Sequence, residues 1–235
     1  MKFAEVRLPA KNIEALAEFY GSTLNLPILQ RSDAEVHFQV GGSRLVFVRQ
    51  SFPLPSPNLS LGERDFAPQH FAFNIPEHRL EDAKAWLQAR CELISDEAGN
   101  DVTYHENWNA HSLYFYDHDG NIGELIARHT QPESHTGAFD ASALLCISEV
   151  GIVTDDPSAT ARLACERLNA QVYRTKLNDT FVPVGNESGL FIIVKSSRRW
   201  YPNRVLPAQP APISIGIAGA PQFDLTPNVQ VIGNL

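Results

Sequence analysis

Residues 112–128, SLYFYDHDGNIGELIAR, hold two alternating apolar segments joined by Asp-His-Asp-Gly-Asn. Gly and Asn tolerate positive φ, and Asp side chains hydrogen-bond to nearby backbone, so the cluster reads as a β-turn or hairpin loop between two strands. The second strand then carries a carboxylate, Glu124, among Ile, Leu and Ala. An unpaired carboxylate loses its hydration at high cost in such a place. The identity of whatever compensates Glu124 is the question this stretch raises.

Working outward, the hairpin closes a unit that recurs. EVRLPAKNIEALAEFYGSTLNLPI (5–28), HFAFNIPEHRLEDAKAWLQARCELI (70–94) and EVGIVTDDPSATARLACERLNAQV (149–172) each read as a short alternating strand, a turn and a helical stretch. Ile13, Leu16, Ala17, Tyr20 and Leu24 fall on one helical face, as do Leu80, Ala83 and Leu87, and then Ala161, Ala164 and Leu168. Asp156 and Pro157 make a cap and first-turn pair for the third helix. Strand-rich stretches follow, such as VHFQVGGSRLVFVRQ with its Gly-Gly turn. The unit is βαβββ, and its period is 65 residues, from Glu5 to His70 and again from Glu149 to Ser214.

The expected fold class is therefore α+β, with paired βαβββ modules forming a cupped mixed sheet and helices near 11–24 and 77–90 on its convex side. Residues 1–128 read as a complete two-module domain, 129–144 as a polar linker and 145–235 as an incomplete second pair. Only 22 residues remain from Ser214 onward, too few to finish a fourth unit. An unfinished module leaves a sheet edge to be covered. It closes either within the chain or, by expectation, in a two-fold homodimer, with RRWYP (198–202) near the interface or the mouth of the site.

Composition narrows the classes. The chain has 235 residues, 43% hydrophobic, and a formal net charge of −8. That suffices for a well-buried core and argues against nucleic acid, whose binders carry a basic stripe. The short basic run in SSRRWYP (196–202) reads as a solvated turn. Cys91, Cys146 and Cys165 are odd in number and lack metal-knuckle spacing, which fits free thiols in a reducing cytoplasm. The start, MKFAEVRLPAKN, has no apolar signal core, and no apolar run reaches membrane-span length. A soluble cytoplasmic protein with a small-molecule substrate is the expectation.

The paired units and the ending YFYDHDGNIGELI resemble the vicinal oxygen chelate superfamily, which includes glyoxalase I, fosfomycin-resistance enzymes, bleomycin-resistance proteins and extradiol dioxygenases. The resemblance implies two modules cupped around a divalent metal, with ligands from the first and last strands of each module. Strand parity offers an independent reading. Phe71, Phe73 and Ile75 define the apolar face of HFAFNI, so His70 points the other way; by the same rule Glu5 lies opposite Val6 and Leu8, and Glu124 opposite Gly123, Leu125 and Ala127. His70, Glu124 and Glu5 are thus the candidate metal ligands. The fourth position is Val46, which cannot ligate, and one imidazole with two carboxylates suits Zn, Mn, Ni or Fe(II). In the second half the corresponding positions are Glu149, Ile192 and Ser214. No metal is expected there, with Glu149 an exposed or salt-bridged carboxylate.

Arg7 reads either as a partner for an anionic substrate group or simply as a partner of Glu5. His37 and His111 lie on strands that could line the cup and face substrate, or sit at the surface. Trp108 and Tyr114 suit a pocket wall or the core; His105, His118, His129 and His135 fall in turns and linker without a specific role. The leading functional reading is a metal-dependent enzyme of glyoxalase type acting on a small substrate with two vicinal oxygens, with Glu124 or Glu5 as proton shuttle. An extradiol dioxygenase ranks lower, because its iron triad needs two His. The alternative from another class is a metal-free, ligand-sequestering protein of bleomycin-resistance type.

Overall fold

The computed structural model describes residues 1–50, 67–131, 136–196 and 198–233; His135 lies outside them. The first module runs β1 (Glu5–Ala10), α1 (Ile13–Leu16, continued by a π turn over Ala17–Thr23), β2 (Ile28–Arg31), β3 (Glu35–Val40) and β4 (Ser43–Arg49). The second is β5 (His70–Ile75), α2 (Leu80–Gln88), β6 (Val102–His105), β7 (Ala110–Tyr116) and β8 (Ile122–Arg128). The third is shorter: β9 (Cys146–Thr154), α3 (Pro157–Leu168), β10 (Phe181–Asn186) and β11 (Gly189–Lys195). Three strands end the chain: β12 (Ile213–Gly216), β13 (Phe223–Thr226) and β14 (Val229–Ile232). Helices α1 and α3 start at side-chain caps, Asn12 accepting from the Ala15 amide and Asp156 from that of Ala159, which satisfies donors that a first turn leaves free.

Two seven-stranded mixed sheets result, in the orders β13-β14-β12-β1-β4-β3-β2 and β10-β11-β9-β5-β8-β7-β6. Both follow one plan, in which the first strand of a module runs parallel to its own last strand and antiparallel to the first strand of the partner module. The paired βαβββ architecture is as expected, but the partners differ. Modules one and two do not share a sheet: β1 pairs with β12, and β5 pairs with β9. Residues 1–128 therefore do not make one cupped sheet, and the stretch 129–144 joins two strands of the same sheet. Modules two and three share one sheet, which leaves β1 to be completed from the far end of the chain.

That completion corrects a second expectation. The last unit dispenses with a helix and still supplies three strands, including a last strand, β14, parallel to β12. The open edge invoked for a homodimer is thus closed within the chain. No helix among the described residues is long and apolar enough to cross a membrane.

Strand parity holds. Val6, Leu8, Phe71, Phe73, Ile75, Leu125 and Ala127 join one continuous core shared by both sheets, whereas Ala72 and Ile126 belong to a separate cluster on the opposite face. Phe47 meets Phe71 at 6.3 Å between ring centroids and Phe3 stacks on Phe191 at 5.6 Å, so aromatic contacts join the sheets. Gly123 is required here, since a Cβ would lie 2.3 Å from Cζ of Phe115, its cross-strand neighbour.

The Asp-His-Asp-Gly-Asn turn is a fastening as well as a hairpin loop. The Asp117 carboxylate accepts from the backbone amides of Asp119 and Asn121, from Asn121 Nδ2 and from the hydroxyl of Tyr20 in module one. Asp119 accepts from the backbone amides of Lys11 and Asn12, and Gly120 takes φ +84°. Burial pushes the Asp117 carboxyl up to about 6 from 3.8, against the pull of its donors. A carboxyl raised on folding contributes stability below its unfolded pKa that is lost as pH rises through its folded one; a two-unit shift corresponds to about 3 kcal/mol. Asp117→Asn, which has no such proton to lose, should therefore gain relative to wild type between pH 4 and pH 7 in urea unfolding. A stability difference that does not change with pH would contradict this account.

Candidate metal centre

Three strands build the site. β5 lies between β8 and β9, and the register sets Glu124, Ala72 and Glu149 in one row across them. His70 stands two residues before Ala72 on the same face of β5, and the small Ala72 leaves the two carboxylates room to converge above it. His70 Nε2 is 3.4 Å from Glu124 Oε2 and 3.8 Å from Glu149 Oε2, and one donor atom from each of the three side chains lies within 4.8 Å of the others. Donors bound at about 2.1 Å to one ion stand roughly 3–3.5 Å apart. All three residues are buried.

The neighbours orient them. His70 Nδ1 faces the Ile122 carbonyl at 3.3 Å; a proton there directs Nε2 at the carboxylates, as an N–H donor to Glu149 when the ring is protonated and as a free lone pair for an ion when it is not. Ser112 donates to the other oxygen of Glu124. Arg128, fully buried at the end of β8, donates to Glu149 Oε1 and to Asn74 Oδ1, and its guanidinium lies 5.6 Å from the Trp108 ring centroid. Among the described residues Arg128 Nη1 has no hydrogen-bond partner.

The electrostatics is that of two like charges in a dry place. Burial, then the charge of Glu149, pushes the Glu124 carboxyl up to about 7. Burial would raise Glu149 too, but its hydrogen bond with His70 and the charge of Arg128 hold it below the usual carboxylate range. For His70, burial disfavours the cation, and the two carboxylates overcome that and raise its pKa. With His70 neutral, as a metal ligand must be, one guanidinium offsets only one of the two carboxylates, and a divalent cation among the three donors would compensate the other. The residues fit such an ion. Ile192, the counterpart of Glu124 in the third module, presents only an aliphatic chain, so the set is one imidazole and two carboxylates.

A cavity of about 390 Å³ opens onto the cluster, lined by Trp108, Tyr114, Phe181, Trp200 and Tyr201 as well as the three donors. Tyr114 OH pairs with His105 Nε2 at 3.1 Å, and burial lowers the pKa of that histidine.

Of the expected ligands, His70 and Glu124 come together and Glu5 does not. Glu5 lies in the other sheet, paired with Arg44 at 2.9 Å and Arg7 at 3.3 Å, because β1 pairs with β12. Arg7 also pairs with Glu35, and His37 with Glu35 at 2.8 Å, so neither reaches the cavity. His111 bonds His129 at 2.7 Å and packs on Tyr104 at 4.7 Å, behind the cavity wall. Glu149, read as an exposed or merely salt-bridged residue, is the third member. Its signal was its place at strand one of the third module, equivalent to His70. Trp108 and Tyr114 do form wall, His105 lines the cavity beside Tyr114, and Arg198, Trp200 and Tyr201 of RRWYP lie at the cavity. Glu149→Gln should weaken divalent-ion binding by at least ~10-fold, while Glu5→Gln leaves it unchanged. Because a metal must displace the protons of Glu124 and His70, affinity should rise with pH and level off for Glu124 above about 7. Calorimetric titration with Zn or Mn from pH 5.5 to 8 checks both; an affinity independent of pH, or lost with Glu5, would refute the assignment.

No family model matches the chain. It is 28% identical over 129 residues to the metallothiol transferase FosB of Staphylococcus haemolyticus, covering 55% of this chain and 78% of that protein. FosB of Staphylococcus epidermidis is 27% identical over the same length. Among solved structures, a putative dioxygenase from Bacillus subtilis superposes with a TM-score of 0.60 at 13% identity, over 93% of this chain and 70% of that one. Glyoxalase I from Zea mays gives 0.54 at 12% identity, over 92% and 74%. Fold and relatives together agree with the resemblance carried by the sequence: the chain has the paired-module fold of these solved structures and is similar in sequence to the FosB proteins.

Proposed function

We propose that the chain is a metal-dependent enzyme that acts on a small substrate through two adjacent oxygens, with His70, Glu124 and Glu149 holding a divalent ion. One observation carries this reading: two buried carboxylates and an imidazole converge at the floor of a cavity where a single guanidinium offsets them only in part. Three protein ligands leave coordination positions free for substrate, as catalysis requires. Such an ion would supply Lewis-acid polarisation of the substrate oxygens. Glu124, at the cavity floor with one oxygen held by Ser112, is placed to take and return a substrate proton. Tyr114 and His105 offer a second hydrogen-bonding pair on the wall.

The similarity to proteins named metallothiol transferase supports a metal-dependent chemistry for this site. One imidazole with two carboxylates departs from the two-His, one-carboxylate set of non-haem iron oxygenases, which keeps the dioxygenase reading second. A metal-free sequestering protein would have no use for two carboxylates buried side by side. Every donor comes from one chain, so the centre needs no second copy. After exposure to Zn, Mn, Ni or Fe(II) and desalting, elemental analysis should find a stoichiometric ion, and the ion should raise Tm. His70→Ala should lose both effects. Protein that retains none of the four ions would overturn the proposal.

A further inference from the structure

The metal centre does not account for the wall beside it. Trp200 is 3% exposed, lines the cavity with its ring 5.6 Å from that of His70, and its Nε1–H has no hydrogen-bond partner among the described residues. Buried donors are ordinarily paired, so a bare one on a cavity-lining residue points to a ligand acceptor. The sequence makes room for this indole: Gly151, two residues after Glu149 on β9, would with a Cβ lie 2.6 Å from Trp200 Cη2.

Two residues earlier, Arg198 also lines the cavity. Its guanidinium lies 4.8 Å from the Phe181 ring centroid, and it forms no ion pair among the described residues. Arg128, by contrast, is committed to Glu149. Glu106, at the rim, is exposed to solvent. A half-buried guanidinium without a carboxylate suits an anionic group, which it can bind through two parallel N–H donors. Between Arg198 and the cluster the walls are aromatic: Trp108, Phe181 and Tyr201. The volume of about 390 Å³ suits one ring-sized molecule.

Resting on the metal-centre reading above, we infer that the cavity selects a planar aromatic acid bearing vicinal oxygens: the oxygens at His70, Glu124 and Glu149, one of them accepting from Trp200 Nε1, the ring between the aromatic walls and the anionic group on Arg198. Arg198 and Trp200 are then the residues that determine specificity.

The test separates ring, anion and oxygens. Zn-loaded and metal-free protein are titrated calorimetrically with 3,4-dihydroxybenzoate, catechol, benzoate and glycerate, with zinc content measured on the same samples. In loaded protein, 3,4-dihydroxybenzoate should bind about tenfold or more tighter than catechol or glycerate. Arg198→Gln should erase the preference over catechol while leaving catechol affinity unchanged, and Arg198→Lys should restore part of it. Trp200→Phe, which keeps a ring and loses the N–H, should weaken both dihydroxy probes several-fold and leave benzoate unaffected. Equal binding of 3,4-dihydroxybenzoate and catechol, no effect of Arg198→Gln, or glycerate binding as tightly would overturn the inference. Absence of zinc from the protein would sink the metal reading alone. Benzoate should then still bind metal-free protein in an Arg198-dependent way, and its failure to bind either form would overturn the ring-and-anion pocket itself.

Discussion

Glu124 and Glu149 stand in one row of a sheet with only Ala72 between them, and this pair of buried like charges constrains the structure around it. A slip of one residue in either strand pairing would turn a carboxylate into the hydrophobic core, so the register of β8 and β9 against β5 is tied to the charge. Arg128 compensates Glu149 and is itself fixed by Asn74; Ser112 occupies the far oxygen of Glu124; His70 sits against both, oriented by the Ile122 carbonyl. Residual negative charge at the bottom of an aromatic cavity is what a divalent ion would satisfy.

The other sheet follows the same plan with the opposite outcome. Its equivalent face carries Glu5 and Glu35, but Arg7, Arg44 and His37 stand among them and each of these side chains is paired. These partly exposed ion pairs contribute little stability. They do leave no carboxylate seeking a cation. Two module pairs of one design thus differ: one brings His70, Glu124 and Glu149 together at a cavity, and the other pairs its carboxylates with neighbouring cationic side chains.

Much of this was legible in the residues. The alternation of HFAFNI and NIGELIA put His70 and Glu124 on one face, and the Asp-Gly-Asn turn marked the hairpin that presents Glu124. Helix faces followed from periodicity. The choice of partner strand was not legible, because parity assigns a side chain to a face and says nothing of which sheet that face belongs to. Glu5 and Glu149 hold equivalent places in the repeat, and only the pairing of β5 with β9 rather than with β1 decides between them. That choice rests on strands at the end of the chain that form without the helix the repeat leads one to expect. The buried Arg128 and the cavity-lining Trp200 and Arg198 lie where parity and periodicity carry no signal about a cavity.

The proposed metal centre takes His70, Glu124 and Glu149 from strands of modules two and three. Anomalous diffraction from crystals grown with Mn or Zn tests it most directly. The account predicts a peak within bonding distance of His70 Nε2 and of one oxygen each from Glu124 and Glu149, with none beside Glu5. A peak at Glu5, or ordered crystals of the metal-soaked protein with no peak at the three residues, would contradict it.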